Sequence, residues 1–290
     1  MSINNIKLID INKNLQKKVI LNNINLEFNK GKIVGIIGAN GSGKSSLFKV
    51  LSGLWNFDSG KILFDEIEIT ENKNFIRKNI GAFIENPNFY EDLNALQNFE
   101  IIKKLYNIRN EEWYYKLISD FGIDKFINIK LKKCSLGMRQ KVAIVMALLP
   151  NPDIIILDEA TNSLDISAVN VLHKLLMTLK NEKIIIVSSH ILEEIDSLCD
   201  DIYMLDKGKV ISKTNHESNR VYVIRFKHSN QNIDLLKSGR IITQINDFTF
   251  KMECNNLNEL FIECNNLKLE VASIRNESST KLLFNGEVES

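Results

Sequence analysis

The residues Gly38-Ala39-Asn40-Gly41-Ser42-Gly43-Lys44-Ser45 match the pattern Gly-x-x-x-x-Gly-Lys-Ser/Thr. Their chemistry is phosphate binding. Glycines let the backbone wrap an anion with its N–H groups, and a helix opening at Lys44 adds the positive end of its dipole. In this pattern Lys44 reaches the β- and γ-phosphates and Ser45 ligates Mg²⁺, with Ser46 behind them in the first helical turn. A second group is Ile154-Ile155-Ile156-Leu157-Asp158-Glu159, an apolar strand ending in two acids. A buried strand ends in a carboxylate at a cost unless that charge has a partner. Beside a phosphate loop, Asp158 would hold Mg²⁺ through water and Glu159 would orient and polarise an attacking water.

These groups need a scaffold, and the apolar pattern supplies one. Ile24, Leu26 and Phe28 alternate as in a strand with one buried face. Ile33 to Ile37 is a continuous apolar run of the kind buried on both sides of a parallel sheet. The glycine loop follows it, then a helix over 44–51. Residues 62–84 suggest short strands in a small antiparallel sheet. From Leu93 to Leu149 the spacing is helical, and Pro150 and Pro152 stop that stretch before the strand at 154–157. Helix 167–179, strand 184–188, helix 191–198 and strand 202–205 complete a parallel α/β core with a helical arm over about 90–150.

A polar stretch from Lys213 to Asn219 suggests a linker. Beyond it the pattern predicts strand 220–228, helix 231–238, strands 240–245 and 248–253, helix 256–265 and strand 267–274. That βαββαβ order is ferredoxin-like. The expected division is a nucleotide-binding domain over 1–213, a linker over 214–219 and an accessory α+β domain over 220–290.

The 290 residues carry a net charge of +1, from 37 basic and 36 acidic residues. No global field therefore marks a nucleic-acid or anionic-membrane ligand. The four cysteines lack metal-ligand spacing and read as free thiols of a reducing compartment. The polar start, Met1 to Asn5, does not resemble a signal peptide. The longest apolar run, Val142 to Leu149, falls far short of the roughly twenty residues that span a bilayer. Any membrane role is expected to come through a partner.

With these motifs in order, the chain resembles the nucleotide-binding subunit of an ABC transporter over about residues 3–213. Cys134-Ser135-Leu136-Gly137-Met138-Arg139-Gln140 resembles the family's signature motif, at a helix start where a Ser cap and a Gly expose backbone donors. The resemblance implies that Ser135 and Gly137 meet the γ-phosphate held by the opposite subunit, and hence a dimer. It implies too that Glu159 to Asp165 is the loop connecting the two sites, with Asp165 counted at the nucleotide. His190, after Ser188-Ser189, matches the family's switch histidine at the γ-phosphate.

Two positions depart from the family. Glu85, in Ile84-Glu85-Asn86-Pro87, stands where a glutamine usually helps to bind Mg²⁺ and senses the transmembrane partner. Its carboxylate could ligate the metal, but adds charge near the phosphates when the metal is absent. Leu15 aligns with the aromatic that usually stacks on adenine. The glutamate form resembles exporters protecting bacteria from peptide antibiotics, of the bacitracin-resistance and lantibiotic-immunity types.

The resemblance thus implies an ATPase binding ATP and Mg²⁺, as a homodimer, on the inner face of the membrane beside separate permease subunits. The competing readings are an exporter of another cargo, a soluble ABC ATPase of ribosomes or DNA, and a nucleotide-binding scaffold without catalysis. One cassette, no long heptad insertion and no net basic charge count against the soluble reading. Lys44, Asp158, Glu159 and His190 together count against the scaffold.

Overall fold

Five-residue strands without a polar position can be satisfied only inside a sheet covered on both faces. Three nearly apolar segments of this kind lie at the centre of one sheet in the computed structural model: β3 (Ile33–Ile37), β7 (Ile154–Asp158) and β8 (Ile184–Ser188), buried throughout. The structure describes residues 2–68, 73–85, 89–215, 220–227, 239–254, 263–264, 266–267 and 269–277. Contacts divide the chain into two compact units. One is 1–190 with 198–214, the other 191–197 with 215–290.

In the first unit, β6 (Ile80–Phe83), β9 (Asp201–Asp206) and β10 (Lys209–Asn215) join the three buried strands. The six-stranded sheet runs β10-β9-β3-β8-β7-β6, with parallel pairing from β9 through β6. A second sheet, of order β2-β1-β4-β5, is antiparallel. It consists of β1 (Asn5–Leu15), β2 (Lys18–Asn29), β4 (Ser59–Phe64) and β5 (Ile67–Glu68). Ile24, Leu26 and Phe28 of β2 all face inward, as their alternation predicts. They share a core with Leu47, Phe48 and Leu51 of α1 (Lys44–Leu51) and with Ile154 and Ile184.

The expectation for residues 62–84 needs correcting. Only β4 and β5 belong to the antiparallel sheet; α2 (Lys73–Asn79) follows, and β6 lies at the edge of the parallel sheet. Gly81 makes that placement possible. A Cβ there would stand 2.1 Å from the Ala147 carbonyl oxygen and 2.6 Å from Pro152 Cγ.

The helical arm comprises α3 (Ala95–Tyr106), α4 (Glu111–Asp120) and α5 (Leu136–Leu148), joined by two short 3-10 turns at Ile123–Lys125 and Leu131–Lys133. Each helix starts on a side-chain cap: Asn94 with a reciprocal Gln97 bond, Asn110, and Ser135. Such caps satisfy N–H groups that the first turn leaves open. Helices α6 (Ile166–Leu179) and α7 (Leu192–Leu198) follow the core strands β7 and β8. Among the described residues no helix is long and apolar enough to cross a membrane.

The second unit contains β11 (Arg220–Phe226), β12 (Gly239–Asn246), β13 (Thr249–Cys254) and β14 (Val271–Glu277). They pair antiparallel in the order β12-β13-β11-β14. Tyr222, Ile224, Phe226, Phe250 and Met252 form its core with Cys264 and Leu269. The predicted helix 231–238 lies outside the described residues, as does most of 256–265, although 263–264 and 266 are helical. The linker expected over 213–219 starts too early, because Lys213 to Asn215 belong to β10; 216–219 lie outside the described residues.

Candidate functional site

The glycine loop turns between β3 and α1 in a shape that side chains would obstruct. Gly38 has φ 152°, and a Cβ there would meet the Leu205 carbonyl oxygen at 2.2 Å and Ser42 Oγ at 2.6 Å. Gly43, at φ 111°, caps α1 without a side-chain bond. Lys44 is 6% exposed, and its Nζ donates to the carbonyls of Gly38 (2.7 Å) and Ala39 (3.3 Å). The ammonium is therefore curled back over its own loop. Ser42 Oγ is buried without a hydrogen-bond partner among the described residues. A buried hydroxyl left unmatched costs about 1–3 kcal/mol, and an anion in the loop is the partner that its surroundings suit. Ala39, Asn40 and Gly41 form the more open tip, while Ser45 and Ser46 lie in the first turn of α1.

Two core strands end beside this loop. Asp158, the last residue of β7, is 5% exposed, and its Oδ1 accepts a 2.6 Å hydrogen bond from Ser188 Oγ at the end of β8. Glu159 N donates both to that hydroxyl (3.0 Å) and to the Ser188 carbonyl oxygen (3.1 Å). Ser188 thus fixes both acids. Glu159 has φ 50°, a left-handed backbone that a non-glycine residue holds only at a cost of about 1 kcal/mol or more. Its Oε2 accepts from Asn162 Nδ2 at 2.7 Å and lies 3.6 Å from His190 Nδ1.

An open cleft of about 710 Å³ gathers Ser45, Glu85, Asp158 and Glu159, with Leu136, Arg139 and Gln140 of α5 along its wall. The oxygen donors are a hydroxyl and carboxylates, the hard set that Mg²⁺ takes. Ser188 donates a hydrogen bond to Asp158 but cannot neutralise it, so the buried carboxylate is suited to face a cation. Among the described residues no group of three or more His, Cys, Asp or Glu stands close enough to hold a metal alone. A metal here would need Ser45 and ligand phosphates besides the acids, as Mg²⁺ commonly does.

The start of α5 lies against the loop that carries Glu159. Gly137 leaves no room for a side chain: a Cβ would come within 2.6 Å of the Ser163 carbonyl oxygen. Gln140 Nε2 donates to the Ala160 carbonyl at 2.5 Å, and Lys141 Nζ bonds Asp165 Oδ2 at 2.7 Å. Ser135 Oγ accepts from Met138 N at 3.2 Å, the expected cap. Burial pushes the neighbouring Cys134 thiol up, away from the reactive thiolate.

Asp165 caps α6, accepting from Ala168 N at 2.9 Å, and its carboxyl is held below the usual range by Lys141 and then by that cap. Leu15 is 47% exposed at the end of β1, where the chain turns into β2. The pattern reading missed what Ser188 and Asn162 do. Both bonds link a polar side chain to a partner set by the fold, and only the position of Ser188 directly before Ser189-His190 hinted at a site.

A P-loop between a buried strand and a helix, with two acids at the end of β7 one strand further along the same sheet, defines a P-loop nucleotide-binding protein. Residues 21–162 match the family model described as ABC transporter. The chain is 35% identical over 213 residues to the lantibiotic transport ATP-binding protein SrtF of Streptococcus pyogenes, covering 73% of this chain and 91% of that one. It is 33% identical over 233 residues to the bacitracin transport ATP-binding protein BcrA of Bacillus licheniformis, covering 78% and 76%. Among solved structures it resembles a dimeric ATP-binding cassette in a post-hydrolysis state with ADP and phosphate, with a TM-score of 0.64 and 26% identity. That likeness covers 72% of this chain and 98% of the other. The chain belongs to the ABC transporter family, as an ATP-binding subunit with ATPase activity.

Proposed function

We propose that this subunit works as a homodimer with two ATP molecules between its copies, driving separate permease subunits that export peptide antibiotics. The observation that carries the catalytic part is the convergence of Glu159, Asp158 and Ser45 on one cleft, with His190 beside Glu159. Gly38 to Ser46 would wrap the phosphates, with Lys44 released from the Gly38 carbonyl to reach them. Ser45, Asp158 and Glu85 would hold Mg²⁺, which would supply neutralisation of phosphate charge. Glu159 would orient the attacking water and accept its proton. His190 would contact the γ-phosphate, and Ser135 and Gly137 would reach the nucleotide of the other copy. Phosphoryl transfer leaves little covalent work to the protein, so positioning and electrostatics account for most of the catalysis.

Asp165, through its cap and its bond to Lys141, would shape the loop leading to the partner site. Leu15 would pack on adenine without stacking. Residues 220–290 would form an accessory domain outside the ATP site. The proposed location is the inner face of the membrane, through the permeases. The lantibiotic and bacitracin transport relatives, together with Glu85, support the cargo class.

The test is to co-express the chain with membrane proteins encoded beside it in a sensitive bacterium and to measure killing by lantibiotics and bacitracin. Protection that disappears with Glu159→Gln supports the proposal. Unchanged killing by every peptide, with ATPase activity intact, would remove the cargo assignment and leave the ATPase standing.

A further inference from the structure

The carboxylate of Glu85 does not stand alone at the cleft edge. Its Oε1 accepts a 2.6 Å ion-pair hydrogen bond from Lys49 Nζ. Lys49 lies on α1 four residues after Ser45, which places the two on one helix face. The ammonium also sits over the ring of Trp55, 4.7 Å from its centroid, while Trp55 N donates to the Lys49 carbonyl at 2.9 Å. The Lys49 side chain is consequently only 19% exposed, against 56% for Glu85. Glu85 has a left-handed backbone, at φ 53°. An ordinary surface pair is mobile and worth little; this one has an aromatic floor under the ammonium.

We propose that Lys49, seated on Trp55, is a positioning residue that neutralises and orients Glu85 at the nucleotide cleft. The inference rests on the reading of the cleft as the ATP site. A glutamate there adds a negative charge beside an anionic ligand, most harmfully before a metal is present. Lys49 offsets that charge locally and draws Oε1 toward α1. A lysine in the last turn of α1 also favours the helix dipole. That structural role does not depend on whether position 85 carries a charge, so the coupling between the two positions separates the explanations.

The experiment measures affinity for a fluorescent ATP analogue on the full chain, in EDTA and in Mg²⁺. The variants are Lys49→Gln, Lys49→Arg, Glu85→Gln and the Lys49→Gln/Glu85→Gln double. An uncancelled charge several ångströms from the phosphates is expected to weaken metal-free binding about three- to tenfold in Lys49→Gln. The loss should be smaller in Mg²⁺, nearly absent when Lys49→Gln is made on the Glu85→Gln background, and rescued by Lys49→Arg. Equal losses on the wild-type and Glu85→Gln backgrounds, or no loss on either, would overturn the proposal. Lys44→Ala tests the underlying site separately: if it leaves binding unchanged, the site reading fails whatever Lys49 does. Should Lys49→Gln fold poorly, Trp55→Leu serves in its place, with the same direction and the same cancellation by Glu85→Gln expected.

Discussion

Glu159 Oε2 lies 3.6 Å from His190 Nδ1, and the same oxygen accepts a 2.7 Å bond from Asn162. The carboxylate is thus oriented by Asn162, with His190 close by, while its backbone is tied to Ser188. With the acid already placed, replacing it should affect chemistry far more than binding. Glu159→Gln is expected to slow ATP turnover about 10²- to 10⁴-fold, the usual worth of a general base, with nucleotide affinity retained. Single-turnover hydrolysis and equilibrium binding on the same preparation check this; near-normal turnover would assign the base elsewhere.

Ser188→Ala removes the hydroxyl that joins the two acids. A hydrogen bond to a charged group is worth about 1.5–3 kcal/mol, and Asp158 is buried, so unfolding in urea should require about that much less free energy. Glu159 N keeps the Ser188 carbonyl, so the loop should stay in place. ATPase activity is expected to fall because Asp158 is less well fixed. Unchanged stability would mean that Asp158 finds another donor.

Asp165 gives a pH test. Lys141 first, and the Ala168 N–H second, hold its folded pKa below the ordinary 3.8. Its contribution is therefore complete above pH about 4 and is lost as pH falls through the lower folded value. Asp165→Ala should cost about 1 kcal/mol at pH 7 through the lost cap, and Asp165→Asn less. In urea titrations the gap between wild type and Asp165→Ala should narrow below about pH 4. A gap constant with pH would show that the charge contributes nothing.

Tyr114 behaves in the opposite sense. Its hydroxyl is buried without a partner among the described residues, and burial pushes its pKa from 10.0 up to about 12. Between those values the unfolded chain releases the proton first, so stability is lost as pH rises through that window. Tyr114→Phe removes both the unmatched hydroxyl and this loss, and keeps the ring under Lys103 Nζ, 4.4 Å from the centroid. Thermal melts should show equal or higher stability at about pH 8, and a growing advantage toward about pH 11. A variant less stable than wild type at both would show that the hydroxyl is satisfied.

Removing residues 216–290 should leave ATP binding in place, because every phosphate-loop and acid residue lies in the first compact unit. The segment Ile191–Ser197 groups with the second unit, so the shortened chain is expected to melt at a lower temperature. Limited proteolysis, size-exclusion chromatography and nucleotide titration of the product decide this. An insoluble fragment would mean that the cassette depends on the second unit to fold.

Much of the site was legible because its signals are local. The apolar run Ile33–Ile37, the glycine spacing and the helix Lys44–Leu51 follow one another without interruption, and the helix bounds came out as read. Strand β1 was not legible: its alternation is broken by register shifts against β2, beside Asp10 in β1 and Asn23 in β2, both with left-handed backbones. Strand β6 was assigned to the wrong sheet, since four residues around Gly81 reveal nothing of the Ala147 carbonyl they pack against. The Glu159–His190 approach and the Lys49–Trp55–Glu85 arrangement join distant segments, so no spacing rule encodes them. Asp165 was placed at the nucleotide by the resemblance alone; in the single chain it bonds Lys141 and caps α6, contacts that no local spacing announces.

The seam between α5 and the 159–165 loop has a mechanical consequence. Gly137 fits against Ser163 with no clearance, Gln140 is bonded to Ala160, and Lys141 to Asp165. These contacts, spread along both segments, oppose independent sliding or hinging. A push that tilts α5 therefore moves the backbone directly after Glu159, and a shift of that loop swings α5 in return. The helix is placed to act as a tie rod, anchored to the loop that begins at Glu159.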